Sequence, residues 1–142
     1  MKIIFISGSH PRHLFIARRL DKLGLLSTHI IEKREKFIPD IPNDIPNNQK
    51  KLFKHHFEER DRVETKMFGK SKFPNCEVLE IEPEDLNSSK IQNFLKNESP
   101  DLLLSYGCHF LDSDTLKCVD GEKWNCHGGL SPWYKGAITH FW

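Results

Sequence analysis

Two kinds of apolar pattern alternate along the start of the chain. Residues 2–7 form a continuous apolar run rich in β-branched side chains, which predicts a strand buried on both faces of a parallel sheet. Pro11 then opens an amphipathic stretch that stops at Gly24, as in a helix with proline near its start and glycine just past its end. Residues 25–32 predict a second strand. Strand, helix and strand within about thirty residues indicate a βαβ unit with a right-handed crossover.

The same alternation continues to residue 126. The further predicted elements are a long helix over 49–68, a strand over 76–81, a helix over 83–96, and strands over 102–106 and 122–126. On the outer face of the long helix, Glu58 and Arg62 have the spacing of an ion pair. The whole pattern predicts an α/β fold, with an open, mostly parallel Rossmann-like sheet and helices on both of its faces.

Composition and charge narrow the class of protein. The 142 residues suit one domain, of which 37% of residues are apolar and 29% are charged. The 21 basic and 20 acidic residues leave a formal net charge of +1, so the overall electrostatic field does not favour binding to nucleic acid or to an anionic membrane. The opening apolar run is far shorter than a signal peptide or a membrane span. We therefore expect a cytoplasmic protein with reduced cysteines and with no membrane or nucleic-acid partner.

Candidate chemistry is expected where the predicted strands end, because ligands of such sheets bind beyond the carboxyl ends of the strands. Three segments follow such ends: residues 8–13, residues 107–110, and the chain from 125 onward. In the last segment, Asn125 and His127 occupy alternate positions, so both side chains project to one face of a strand. An amide beside an imidazole can hydrogen-bond a developing oxyanion and move a proton. The spacing alone equally fits a satisfied polar pair at a strand end.

The segment NCHGGLSPWYKG, residues 125–136, is more specific than this spacing. It resembles the Asn-x-His, Leu-x-Pro and basic-Gly signature of the 10-formyltetrahydrofolate-dependent formyltransferases. Its Gly-Gly pair and the closing THFW look nearest to the sugar N-formyltransferase and formyltransferase-like branches. The segment LLLSYGCHFLDSDTL, residues 102–116, is similar to the strand and loop that line the family's folate pocket, and the opening FISGSHPRH is similar more weakly. The resemblance thus spans essentially the whole chain, with its specific motifs towards the end.

The resemblance implies transfer of a formyl group from 10-formyltetrahydrofolate to a primary amine of a small molecule or a sugar nucleotide. In that reaction Asn125 would polarise the formyl carbonyl and stabilise the oxyanion, and His127 would assist at the same centre. The residues that would lie along the pterin are Tyr106, Gly107, Cys108, His109, Phe110 and Leu111. The residues that would contact the amine substrate are Gly8, Ser9, His10, Arg12, Gly128, Gly129 and Lys135.

The sequence departs from the family at its catalytic aspartate. That residue lies several elements after the histidine, at a place beyond Trp142, whereas Asp112, Asp114 and Asp120 precede the motif. We therefore expect residues 1–142 to be the N-terminal portion of the domain, incomplete on the C-terminal side of its sheet and inactive alone. The missing part would also carry acceptor contacts and any oligomer interface. The alternative function is a non-catalytic Rossmann-like module that binds a nucleotide or a sugar nucleotide.

The turn at residues 8–13 has two interpretations. Its backbone N–H groups and Arg12 suit an anion at a helix start, while Pro11 equally suits a tight turn that simply begins a helix. The turn lacks the GxGxxG and GxxxxGKS patterns of nucleotide-binding loops. Without that fingerprint, and with no ribose-binding acid expected about twenty residues later, an NAD-dependent enzyme is disfavoured.

The spacing of cysteine and histidine, the usual ligands of zinc, does not favour a metal here. No two of the cysteines, Cys76, Cys108, Cys118 and Cys126, are separated by two residues. The adjacent Cys108 and His109 would point to opposite faces of a strand. We therefore predict that the chain holds no metal.

Overall fold

The computed structural model describes residues 1–33, 40–70 and 72–127. Within these ranges the strands are β1 (Ile3–Ser7), β2 (Leu26–Glu32), β3 (Glu77–Ile81), β4 (Leu102–Tyr106) and β5 (Glu122–Cys126). The helices there are α1 (Pro11–Lys22), α2 (Asn47–Phe68), α3 (Ser89–Glu98) and α4 (Ser113–Lys117), and a 3-10 turn covers Pro83–Asp85. Strands and helices alternate along the chain, as the sequence pattern predicts.

The five described strands run parallel in one sheet, in the order β3-β2-β1-β4-β5. β1 lies at the centre, where Phe5 pairs with His29 of β2 on one side and with Leu104 of β4 on the other. The chain moves outward from β1 to β3, then returns across the sheet to begin β4 on the far side of β1. Open α/β sheets bind ligands at such a reversal. The predicted α/β fold with an open parallel Rossmann-like sheet is confirmed.

Helices cover both faces of this sheet. Ile4 of β1 packs in a core cluster that contains Ile91 of α3. The next residue, Phe5, points to the opposite face and packs with Ala17 of α1. These four side chains are buried, which explains why β1 is continuously apolar instead of alternating between apolar and polar residues.

The predicted helix over 83–96 is in fact two elements. Pro83–Asp85 forms a single 3-10 turn, and Leu86 directly after it is fully buried. Ser88 then caps α3 by accepting a hydrogen bond from the N–H group of Ile91 at 3.4 Å. The apolar spacing fits one amphipathic helix as well as it fits this pair of elements. The serine cap was therefore the signal that marked the true start of the helix.

The structure also contains a helix that the sequence pattern did not predict, α4. Asp112 begins this helix by accepting a hydrogen bond from the N–H group of Thr115 at 2.7 Å. The same hydrogen bond holds the pKa of the Asp112 carboxyl below its usual range. With only five residues, α4 is too short to show a helical period in the sequence.

The long helix α2 is charged and has no fully buried residue. Arg62 lies 2.8 Å from Glu59, while Glu58 lies 3.7 Å from Lys54. The predicted pair of Glu58 and Arg62 is therefore wrong, because a partner three residues away is equally within reach on a helix. Among the described residues, no helix combines the length and the apolar character needed to cross a membrane.

β5 enters the sheet through a close approach of two backbone segments at Gly121. A Cβ atom at this position would lie well inside contact distance of the carbonyl oxygens of Pro100 and Asp101. The next residue, Glu122, donates its N–H to the same Asp101 oxygen at 2.9 Å. Because only glycine fits here, this contact sets how β5 lies against β4 and therefore where Asn125 is placed.

His29 of β2 is buried inside this sheet. Its ring stacks on Phe5 with the centroids 5.1 Å apart, and its Nε2 lies 2.8 Å from Ser7 Oγ. Within the part of the chain that the structure describes, Nδ1 of His29 has no hydrogen-bond partner. Burial disfavours the charged ring and lowers the pKa of His29 to about 4.

We predict that His29 makes the protein less stable as the pH falls from 6.5 towards about 4. In this window the unfolded chain binds a proton at His29 that the folded chain does not, so the free energy of unfolding decreases, by about 3 kcal/mol in total for this group. His29→Gln removes the titrating ring. Urea unfolding of the natural chain and of this variant, across that pH window, should show a shallower pH dependence in the variant. Identical pH dependence in the two proteins would contradict the prediction.

Candidate functional site

The carboxyl ends of three strands lie side by side in the sheet. Ser7, the last residue of β1, pairs with Tyr106, the last residue of β4, and Tyr106 pairs with Cys126, the last residue of β5. The predicted site segments that begin at Gly8 and Gly107, and the chain after β5, therefore leave from neighbouring positions. We call this side of the sheet the carboxyl edge.

Asn125 is anchored at the carboxyl edge by the adjacent strand. The hydroxyl of Ser105 donates to Asn125 Oδ1 at 3.1 Å, and Asn125 nonetheless remains exposed. With Oδ1 turned towards β4, the two N–H donors of Nδ2 lie on the other arm of the amide. The side chain therefore offers hydrogen-bond donors on an exposed surface while its orientation is held by the sheet.

His127 directly follows β5 and is also exposed. Side chains at alternate positions of extended backbone project to the same face, so its partnership with Asn125 stays a prediction that this placement permits. Gly128, Gly129 and Lys135, which are predicted to contact the amine substrate, lie outside the described residues.

β4 ends in a turn that packs against the start of α1. Gly107 has a φ of +63°, and a Cβ atom there would lie 2.9 Å from His13 Nε2. His13 is buried and packs edge-on against the ring of Tyr106, with the centroids 4.6 Å apart. His10 continues the cluster, with its ring centroid 5.5 Å from that of His13. These rings fill the space between the ends of β1 and β4 and so fix the two predicted segments relative to each other.

The rest of the loop after β4 is held by Asn87. Its Nδ2 donates to the Phe110 carbonyl and its Oδ1 accepts from the Asp112 N–H, each at 2.9 Å. Cys108 and Leu111 pack against the core cluster on the α3 side of the sheet. Phe110 is 82% exposed, so the loop presents an aromatic ring beside the carboxyl edge.

Glu32, the last residue of β2, is a buried acid at the carboxyl edge that the sequence analysis did not single out. Its Oε2 accepts from the main-chain N–H of His109 at 2.9 Å, and its Oε1 lies 2.5 Å from the ring Nδ1 of the same residue. The side chain of Glu32 is 0% exposed and that of His109 is 56% exposed. The available signal was an acid directly after two isoleucines at the end of a strand, where both faces of the sheet are covered.

Glu32 also occupies the place of the ribose-binding acid in dinucleotide-binding folds, near the end of the second strand. An acid is therefore present at this place. A ribose-binding carboxylate must accept hydrogen bonds from a ligand's hydroxyls, whereas both oxygens of this buried carboxylate are engaged by His109. The arrangement therefore adds no support to an NAD-dependent enzyme.

Arg12, which is predicted to contact the amine substrate, is held by α2. Its Nη1 lies 2.6 Å from Glu64 Oε1, and the two side chains are mostly buried. α1 begins at Pro11, as predicted. An anion bound at this turn would have to share Arg12 with Glu64, and the two interpretations of the turn both stay open.

A cleft of about 340 Å³ lies away from the carboxyl edge, between the end of α1 and the segment before β3. It is lined by Arg18, Asp21, Lys22, Lys72, Phe73, Pro74 and Asn75. Arg18 donates to the carbonyls of Phe68 and Lys72 at 2.8 and 2.7 Å. Because its guanidinium satisfies the carbonyl at the end of α2, this cleft has a structural role in holding α1 to α2.

No cluster of three or more histidine, cysteine, aspartate or glutamate side chains in residues 1–33, 40–70 and 72–127 can hold a metal ion. The four cysteines are free thiols. Burial, reinforced by Asp21, raises the pKa of the Cys76 thiol. The prediction that the chain holds no metal stays a prediction.

No protein-family model matches this chain, and no curated protein matches it. The resemblance to the formyltransferases therefore stays a prediction that rests on the motifs of the sequence. The structure adds the geometry of the carboxyl edge, where the candidate residues of three strands come together.

We predict that Gly107→Ala destabilises the chain by about 2 to 4 kcal/mol, because it adds left-handed strain and a clash with the buried ring of His13. Gly24→Ala is the matched control, since Gly24 has a similar φ of +68° with nothing near its Cβ position, and should cost only about 1 kcal/mol. Urea unfolding measures both. In the double variant with His13→Ala, part of the cost of Gly107→Ala should disappear. Equal costs for the two glycine variants would contradict this view of the turn.

Proposed function

We propose that this chain belongs to an enzyme that transfers a formyl group from 10-formyltetrahydrofolate to a primary amine of a small molecule or a sugar nucleotide. The observation that carries the proposal is the exposed amide of Asn125, anchored at the carboxyl edge by Ser105. Attack on a formyl carbonyl creates an oxyanion, which needs a hydrogen-bond donor that is already in position. An amide fixed through its oxygen keeps its N–H donors oriented for that purpose.

The loop after β4 supports a place for the formyl donor next to this amide. β4 lies between β1 and β5, so residues 107–111 leave the sheet beside the strand that carries Asn125. The exposed ring of Phe110 provides an apolar surface on which a flat heterocycle can stack. A pterin along this loop would bring the formyl-bearing N10, which lies next to the ring system, towards β5.

The proposed chemistry requires a neutral amine, a polarised carbonyl and a route for protons. The amine nitrogen attacks the formyl carbon, and the carbonyl oxygen becomes the oxyanion that Asn125 Nδ2 stabilises. When the intermediate collapses, the bond from the formyl carbon to the folate nitrogen breaks, and that nitrogen takes up the proton that the attacking amine nitrogen loses. His127, exposed just after β5, is assigned to assist this proton transfer.

We predict that folinic acid, a stable folate with its formyl group on N5 beside N10, binds the purified chain and that Asn125→Ala weakens this binding about three- to tenfold, the value of one hydrogen bond to a carbonyl. Isothermal titration calorimetry measures both affinities. Cys126→Ser is the matched control, because Cys126 is the exposed neighbour on the same strand and alternates to the other face. Its affinity should equal that of the natural chain.

Two results would count against the proposal. The first is no heat of binding with folinic acid, and the second is an Asn125→Ala chain that binds it as tightly as the natural one. Binding of UDP-glucose without binding of folinic acid would instead favour the non-catalytic sugar-nucleotide module.

A further inference from the structure

The contact of Glu32 with His109 joins two elements that are far apart in the sequence. Glu32 ends β2, and His109 lies in the loop after β4, so the contact passes over the carboxyl end of β1. The carboxylate is fully buried and the imidazole is more than half exposed. A buried carboxylate is costly unless it is hydrogen-bonded, and both of its oxygens here accept hydrogen bonds from His109.

The carboxylate determines which nitrogen of His109 carries a proton. An ionised carboxylate only accepts hydrogen bonds, so the ring Nδ1, 2.5 Å from Oε1, must be the protonated nitrogen. In the neutral ring the lone pair is then on Nε2, on the side of the ring that faces away from the buried acid. The neighbouring cation, Lys33, is engaged elsewhere, since its Nζ lies 2.7 Å from Glu82 Oε1.

Glu32 lies on the same face of the sheet as the candidate amide. Ile30 and Leu103 belong to one core cluster, and Glu32 and Ser105 each follow two residues later on the same strands. Ser105 in turn holds Asn125. β2 and β5 are three strand spacings apart, about 14 Å, and the loop that carries His109 lies between them.

From this arrangement we infer that Glu32 and His109 form an acid–base dyad at the carboxyl edge, in which Nε2 of His109 accepts a proton from the ammonium group of the amine substrate. This role rests on the proposed formyl transfer, which needs the amine in its neutral form. The N–H bond of the ammonium breaks, its electron pair stays on the amine nitrogen, and the proton forms a new bond to Nε2. Glu32 is the positioning residue, because it fixes the tautomer and stabilises the imidazolium that forms. The exposed ring can then release its proton to water.

The basic character of Nε2 can be measured without substrate. Diethyl pyrocarbonate acylates neutral imidazole nitrogens, and peptide mass spectrometry of the full chain gives the rate at each histidine. His109 should react at least about fivefold faster than His55, which is exposed on α2 near Glu59 but, among the described residues, has no hydrogen bond to a carboxylate. Glu32→Gln should lower the rate at His109 at least about fivefold, whereas Glu32→Asp should retain most of it.

Two controls separate a loss of reactivity at His109 from a loss of folding. Circular dichroism checks that the Glu32 variants fold, and if Glu32→Gln does not, the comparison of His109 with His55 in the natural chain still decides. His109 reacting no faster than His55, or at an unchanged rate in a folded Glu32→Gln chain, would overturn the dyad.

The folinic acid titration separates this inference from the proposed function. If the natural chain does not bind folinic acid but His109 shows fast acylation that depends on Glu32, formyl transfer fails and the site remains an acid–base pair. If folinic acid binds but His109 reacts like His55, the proposed function stands and the dyad fails. Binding together with fast acylation that depends on Glu32 supports both.

Discussion

The position of β1 between β2 and β4 is the constraint on which the site depends. Because all described strands run parallel, their carboxyl ends share one edge, and the return of the chain from β3 to β4 leaves β1 at the point of reversal. The turn after β1 must therefore lie beside the loop after β4. The packing of His13 against Tyr106 and Gly107 fills that junction with side chains instead of leaving an empty gap. What remains accessible is the surface over β4 and β5.

In β1 and β4, buried side chains change from apolar to polar towards this edge. β1 begins with Ile3 and β4 with Leu102, both buried in the core. Towards the carboxyl ends, buried polar side chains replace them, and each meets a partner from another strand or loop. The pairs are Ser7 with His29, Glu32 with His109, and Ser105 with Asn125. Buried polar groups of this kind are costly unless paired, and each of these pairs meets that requirement.

The fold could be predicted from the sequence because, in β1, α1 and β4, the local sequence pattern favours the same structure as the long-range packing. The sequence pattern did not predict the short helix α4 or the break before Ser88, because one element is too short to show a period and the other boundary depends on a local cap. The placement of Asn125 at the carboxyl edge was predictable, because it follows from the local pattern of β5. The contact of Glu32 with His109 was not, because the two residues are distant in the sequence and are brought together only by the order of the strands. Likewise, the contact of Arg12 with Glu64 depends on how α2 crosses α1.

We propose that a formyl-bearing folate lies over the end of β4 with its carbonyl at Asn125. A crystal structure of the chain soaked or co-crystallised with folinic acid would show this position. We expect the pterin along residues 107–111 and the formyl oxygen within about 3 Å of Asn125 Nδ2, a normal hydrogen-bond distance. Folinic acid bound elsewhere, for instance in the cleft beside Arg18, or an Asn125 amide that turns away from it, would show that the proposed folate position is wrong.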